Sequence, residues 1–287
     1  MSEQYQPICV ERILLSLDSS SHSFSALKAA VKLARHYDAS IKGVFIQDSM
    51  LLNLAKLPFF REIGEYTAIS REISTEGITR GIIVQSRWVI RTFHKVINQS
   101  GINGNFSILR GKVHEILENE SKNCDLLIIG KTGTNPLGRP RLGSTARLMV
   151  RKNKKPLLLV EEDNELGYPI FVLFDDSALG WVSLETARDY LDPGETLNII
   201  LNDDNLEIYK LNQAKIREWA IEKKINISFQ SYQSRNFERF LETINFLKTG
   251  LLVLPHVGKN LDKTVIERIL EKVSLPTLLI RSAEKIE

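Results

Sequence analysis

The chain has 287 residues, 43% hydrophobic and 25% charged, with a net charge of +3; this is an ordinary globular composition, long enough for two domains of roughly 140 residues. No apolar run reaches the ~20 residues of a membrane span, and Met1-Ser2-Glu3-Gln4-Tyr5 lacks the basic start and apolar centre of a secretion signal. Cys9 and Cys124 both lie in or beside apolar runs and are expected as buried free thiols, and the five histidines show no metal-ligand spacing, so the expectation is a cytoplasmic protein with no metal site of its own and no membrane contact.

In chain order, Ile13 to Leu17 reads as a strand ending at Asp18, and the serine-rich turn after it can cap a helix. That helix carries Phe24, Leu27, Val31, Ala34 and Tyr37 at three-to-four spacing. A second strand covers Ile41 to Ile46. Residues 49 to 70 read as irregular, with Pro58-Phe59-Phe60 either a partner surface or, as the favoured reading, part of a covering loop, followed by an amphipathic helix from Arg71 to Asn98 that presents Ile73, Ile82, Val89, Phe93 and Val96. Trp88, Phe93 and Tyr37 are expected in the core. A third strand lies at Asn105 to Leu109, a helix starts after Gly111 with His114 in its first turn, and strands follow at Leu126–Ile129 and Leu157–Val160 around a helix from Ser144 to Lys152.

The same order then repeats: strands at Ile170–Phe174, Leu197–Leu201, Ile225–Phe229, Leu251–Leu254 and Thr277–Ile280, with helices at Leu184–Leu191, Leu211–Lys223, Phe237–Phe246 and Lys263–Lys272 between them. Short apolar strands alternating with helices predict parallel sheets covered on both faces. The fold class is therefore α/β: two tandem open doubly wound five-stranded sheets, order 3-2-1-4-5, in domains 1–162 and 168–287, with the linker at Glu161 to Pro169.

The charge is unevenly shared. Residues 1–161 carry a net +9 and residues 162–287 a net −6, and no acidic residue falls between Leu126 and Val160 while Lys131, Arg139, Arg141, Arg147, Arg151, Lys152, Lys154 and Lys155 do. A local positive field attracts an anion, although residues 151 to 155 also suit the negative end of a helix dipole. A basic cluster confined to one loop and helix, beside an acidic second half, gives little support to nucleic-acid binding.

The segment Gly130-Lys-Thr-Gly133-Thr-Asn-Pro-Leu-Gly-Arg-Pro-Arg-Leu-Gly143-Ser144 joins a buried strand to a helix start. Glycines supply unobstructed backbone N–H groups, and a helix N-terminus favours negative charge, so the segment reads as a phosphate cradle. With strand order 3-2-1-4-5 the first and fourth strands are neighbours, which would bring Asp18 and Gly130 to one crevice. Asp18 could then accept hydrogen bonds from a ribose hydroxyl or an adenine amine, and Ser144 and Thr145 could donate to phosphate, with Ser144 also capping the helix. Lys131 and Arg139 either touch phosphate or solvate the loop. A P-loop ATPase is disfavoured because Gly143-Ser144 stands where Gly-Lys would lead, and a dinucleotide fingerprint is missing after the first strand.

The spacing Gly130-x2-Gly133-x9-Gly143-Ser144 resembles the nucleotide-binding motif of the ATP-binding branch of the universal stress protein A family. The resemblance extends to Asp18, to Ile46-Gln47-Asp48 at the second-strand end, and to Gly111 with His114-Glu115, and covers about residues 8 to 161. It implies adenine held near Asp18 and the backbone around Ile46, Ile129 packed on the nucleotide, and phosphates held by Gly130, Gly133, Gly143, Ser144 and Thr145. It also implies ATP, with Mg2+ an open question, two domains that pair as two single-domain subunits would, and a homodimer as a further option. The second half resembles the same fold with its site eroded: Asp175 corresponds to Asp18, but Pro255 and Gly258 stand where Gly130 and Gly133 stand, the loop is five residues shorter, and the Gly-Ser pair is missing.

The resulting expectation is a stress-response regulatory protein that binds ATP in its first half only and is no enzyme beyond slow hydrolysis, since no general base or catalytic lysine stands out. One alternative is an enzyme of the adenine-nucleotide α-hydrolase kind, although the turn Asp18-Ser19-Ser20-Ser21 lacks the glycines of a synthetase loop. The other is a ligand-free scaffold.

Overall fold

The structure, a computed structural model, describes residues 5–54, 61–63, 70–72, 75–132, 142–201, 205–231, 240–257 and 263–281. Pro58-Phe59-Phe60, Ile73, Gly133, Arg139, Arg141 and Gly258 lie outside the described residues.

The strands are β1 (Arg12–Ser16), β2 (Ser40–Asp48), β3 (Arg61–Ile63), β4 (Ser70–Glu72), β5 (Gly104–Gly111), β6 (Leu126–Gly130), β7 (Leu157–Val160), β8 (Glu165–Phe174), β9 (Thr196–Leu201), β10 (Asn226–Ser231), β11 (Thr249–Pro255) and β12 (Thr277–Ile280). The helices are α1 (Ser21–Tyr37), α2 (Ser49–Leu54), α3 (Thr75–Ser100), α4 (Val113–Ser121), α5 (Ser144–Lys152), α6 (Ala178–Asp189), α7 (Leu206–Lys223) and α8 (Lys263–Lys272); residues 240–244 are also helical.

Ten strands form one sheet in the order β10-β9-β8-β11-β12-β7-β6-β1-β2-β5. Counted within each half, this is 3-2-1-4-5 twice over, as the alternation of elements predicts. Pairing inside each half is parallel. The two fifth strands meet antiparallel, with Thr277 opposite Leu159, Leu278 opposite Leu158 and Leu279 opposite Leu157. β3 and β4 form a separate antiparallel pair.

The central strands are apolar throughout because both of their faces are covered. Alternate residues feed two cores. Ile13, Leu15, Leu126, Ile128, Leu158, Val253 and Leu278 point to the side of α1, α3, α6 and α7. Leu14, Leu127, Leu157, Leu159, Leu252 and Leu279 point to the side of α4, α5, α8 and the 240–244 turn. Each core includes residues of both halves, so the apolar layers continue across the β7–β12 seam.

Helix ends follow local chemistry. Ser20 caps α1, accepting from the Ser23 N–H, and Asp38 closes it in the left-handed conformation. Ser177 caps α6 and Asn205 caps α7 in the same manner. Five sequence expectations are corrected. Residues 49–54 are helical rather than irregular, and 70–72 pair as a strand, so the long helix starts at Thr75. β8 begins at Glu165 inside the expected linker, because its first residues pair with Thr249 and Gly250 before a three-residue bulge at Gly167 to Pro169 restores register at Leu251. Trp88 is 49% exposed, lying against Phe24 at 5.9 Å rather than in the core. Cys9, ahead of the first strand, is exposed, whereas Cys124 is buried as expected, and both thiols are free.

Candidate functional site

In a doubly wound sheet the winding reverses between the first and fourth strands, and the carboxyl ends of the two strands flank a crevice there. β1 and β6 are hydrogen-bonded neighbours, with Leu15 opposite Ile128. An open cavity of about 180 Å³ lies beyond their ends, and Asp18, Ile46, Ile129, Gly130, Gly143, Ser144 and Thr145 all line it. Seven of the eight residues singled out in the sequence thus meet around one space, brought from four separate segments; the eighth, Gly133, is outside the described residues. Ser16, Leu17, Ser23, Val113 and Thr132 complete much of the wall. Ligand pockets commonly hold ~300–1,000 Å³, so this cleft suits one end of a nucleotide-sized molecule.

The α5 end of the cleft is built for an anion. Gly143 is the N-cap residue and brings no side chain to cap the helix. The first bond of the helix runs from Arg147 N–H to Gly143 O at 2.8 Å, so the N–H groups of Ser144, Thr145 and Ala146 have no acceptor within it. Three aligned donors and the positive end of the helix dipole therefore face the cleft. Ser144 is the first helical residue rather than the cap. Two of the backbone donors that the glycine-rich segment seemed to offer are already spent: Gly143 N–H donates to Lys131 O at 2.9 Å, and Lys131 N–H to Val160 O at 2.8 Å.

Gly130 is closely approached by α1. A Cβ added there would come within 3.1 Å of His22 Cβ, because α1 enters directly over the end of β6. His22 was not singled out in the sequence, since nothing in its neighbours marks it. Its Nδ1 accepts the Glu162 N–H at 2.9 Å, and its Nε2 lies 2.7 Å from the Thr132 hydroxyl. It thereby ties the start of the glycine-rich segment to the connection between the halves.

Opposite α5, Asp18 Oδ1 accepts from Ser20 N–H at 2.8 Å and from the hydroxyls of Ser20 and Ser23, each at 2.5 Å. Ser23 Oγ in turn accepts the Asp18 N–H at 2.8 Å. One carboxylate oxygen is thus committed to building the turn, in a residue that is itself exposed. His114 sits in the first turn of α4, as expected, 4.0 Å from the Glu115 carboxylate.

Lys131 does neither of the things expected of it. Its side chain is 2% exposed; Nζ contacts Glu161 at 3.1 Å and donates to the Val273 carbonyl at the end of α8. Burial lowers its pKa, and the Glu161 carboxylate opposes that shift. The neighbouring positive charge is also partly spent across the seam: Arg147 pairs with Glu271 at 2.5 Å, and Arg151 with Glu267 at 2.5 Å. The basic first half and acidic second half therefore compensate each other here. In the second half Asp175 is 6% exposed and accepts from Ser177, and Pro255 lacks the N–H that a phosphate cradle would use.

The family described as the universal stress protein family matches residues 10–161, more than half of the chain. A universal stress protein of Methanocaldococcus jannaschii is 25% identical over 154 residues, covering 53% of this chain and 82% of its own. One of Mycolicibacterium smegmatis is 25% identical over 181 residues, covering 62% of this chain and 58% of its own. A crystal structure of a universal stress protein from Archaeoglobus fulgidus superposes with a TM-score of 0.68 at 15% identity, covering 95% of this chain and 98% of that one; at that identity the likeness shows a shared fold.

Proposed function

Because the chain belongs to the universal stress protein family, we propose that residues 1–162 form a domain that binds adenine nucleotide, and residues 168–287 a related domain without an equivalent site. The protein acts as a cytoplasmic regulatory protein of the stress response, with ATP as its ligand. Adenine lies toward Ile46, Val113 and Asp18, Ile129 packs on the nucleotide, and the phosphates lie at Gly130, Gly133, Gly143, Ser144 and Thr145. The antiparallel β7–β12 ladder supports reading the halves as a pair that stands in for two separate subunits.

The observation that carries the proposal is the uncapped N-terminus of α5 facing Asp18 across one cleft. Among the described residues no cluster of His, Cys, Asp or Glu could hold a metal ion alone, so Mg2+ would arrive with the triphosphate. Asp18 is the one carboxylate in the described lining, and half of it builds the turn, which favours binding and release over more than slow hydrolysis. Ser20, in the turn after Asp18, is used to cap α1, which weighs against the synthetase-type alternative.

The test is calorimetric and thermal titration with ATP. At one hundred times Kd, binding should stabilise the fold by about 2.7 kcal/mol, a rise in Tm of roughly 5 °C or more, with one site per chain. Gly143→Asp separates binding from folding. An aspartate at an N-cap satisfies the helix N–H groups itself and repels phosphate, so the variant should fold at least as stably and lose the ATP response. No thermal shift in the wild type, or a stoichiometry of two, would overturn the reading.

A further inference from the structure

The helix that offers its N–H groups to the cleft is fastened largely by the other half of the molecule. Arg281, 7% exposed and just past β12, donates to the carbonyls of Met149 (3.4 Å), Val150 and Asn153 at the C-terminus of α5. The carbonyls of Val150 and Asn153 are ones that the helix itself leaves unsatisfied, while Met149 O already accepts the Asn153 N–H at 2.9 Å, and a cation there is favoured by the dipole. Along the length of α5, Arg147 meets Glu271 and Arg151 meets Glu267 through two bonds of 2.5 and 2.9 Å. One index rises by four as the other falls by four, so α5 and α8 run antiparallel. At the amino end, the Lys131 carbonyl holds the Gly143 N–H while the Lys131 ammonium reaches the Val273 carbonyl at the close of α8. Four second-half residues (Glu267, Glu271, Val273 and Arg281) thus grip α5 or the residue on which it hangs. Burying two cations at one seam is costly; Lys131 is engaged by Glu161 and a carbonyl, and Arg281 by three carbonyls while its Nε has no hydrogen-bond partner.

We propose that Lys131 and Arg281 are positioning residues for the phosphate-binding end of the first half, and that the second half, with its own cradle eroded, serves as the mount that aims α5 at the cleft. The inference rests on the nucleotide reading above. Arg281 lies at the far end of a nine-residue helix, on the order of 14 Å from its N-terminus, too far to touch a phosphate bound there. Its hydrogen bonds fix the carboxyl end of α5, so the route proposed for its effect is the placement of that helix. Linkage requires the reverse effect as well: a ligand that favours the aimed helix must tighten the seam.

The experiment titrates ATP and adenosine separately into the full-length wild type, Arg281→Met, Lys131→Met and Arg281→Lys. Residues that position through a coupled network shift affinity by about 3- to 30-fold. The methionine variants should lose that much for ATP and less than about twofold for adenosine, and Arg281→Lys, which keeps a cation at the helix end, should recover most of the loss. Equal losses for ATP and adenosine would mean general damage and would overturn the proposal, as would folded methionine variants that bind ATP like the wild type. Should the methionine variants fail to fold, hydrogen exchange on the wild type decides: ATP should slow exchange in residues 266–281 as well as in 144–150, and protection confined to the first half overturns the mount. A wild type that binds no ATP instead removes the functional reading itself.

Discussion

Lys131 and His256 hold the same place after the fourth strand of each half, and their backbones behave alike: Lys131 N–H donates to Val160 O and His256 N–H to Ile280 O. Their side chains solve burial differently. Lys131 is matched by Glu161 and a carbonyl, whereas His256 Nδ1 is buried with no hydrogen-bond partner, and burial together with Arg281 and Lys263 lowers its pKa from 6.5 to about 4. The folded state therefore holds a neutral ring. Above pH 6.5 both folded and unfolded rings are neutral and no penalty arises; from 6.5 down toward 4 the unfolded chain takes up a proton that the folded one refuses, so stability falls. Urea unfolding between pH 4.5 and 7.5 should show this loss, with a slope of at most about 1.4 kcal/mol per pH unit from this site, and His256→Gln should flatten it. An unchanged slope would exclude His256 as the source. None of this could be read from the sequence, because burial of Lys131 and His256 depends on where α8 and Arg281 arrive from the far end of the chain. The turn at Asp18 and the helix start beside Gly143 were legible because both follow from local sequence, whereas the approach of His22 to Gly130 comes from a separate segment.

At the scale of elements, periodicity identifies which segments are helices and strands but leaves their rotation to packing. On α3 the buried stripe is Ile82, Val89, Phe93 and Ile97, at spacings of seven, four and four; Trp88 sits one residue, or about 100°, off that stripe and points outward despite its bulk. The β3–β4 pair was illegible because three-residue strands give no periodicity to detect. Packing of α3 on the sheet also sets two opposite outcomes for one substitution. A Cβ at Gly43 of β2 would lie 2.6 Å from the Phe106 ring and 2.8 Å from that of Phe93, whereas at exposed Gly81 of α3 it would meet nothing within 4 Å. Gly43→Ala should destabilise the protein by about 1–3 kcal/mol through overpacking, and Gly81→Ala should stabilise it by about 0.5–1 kcal/mol through helix propensity and chain entropy. Chemical denaturation of both variants checks this; shifts of the same sign would refute the packing described for β2.

At the scale of the whole molecule, the two halves share one sheet and both apolar cores. Leu158 stands at the centre of the antiparallel seam opposite Leu278, and Leu157 and Leu159 flank it toward the other core. Repetition of the strand–helix order revealed two halves in the sequence, but four apolar residues cannot state which partner they will pair with, so the seam was legible only as an implication of family resemblance. Its physical consequence is cooperativity. Separate domains joined by a linker would unfold in two steps, whereas halves that share buried layers should lose them together. Trp88→Phe provides the probe, because fluorescence then comes from Trp181 and Trp219 in the second half alone, while circular dichroism follows the whole chain. The two urea transitions should coincide. Leu158→Ala, which opens a cavity in a fully buried first-half position, should cost about 2–5 kcal/mol and move the second-half fluorescence midpoint by as much as the circular dichroism midpoint. A second-half signal that ignores Leu158→Ala would mean that the seam transmits no stability, and that the mount proposed for α5 has nothing firm behind it.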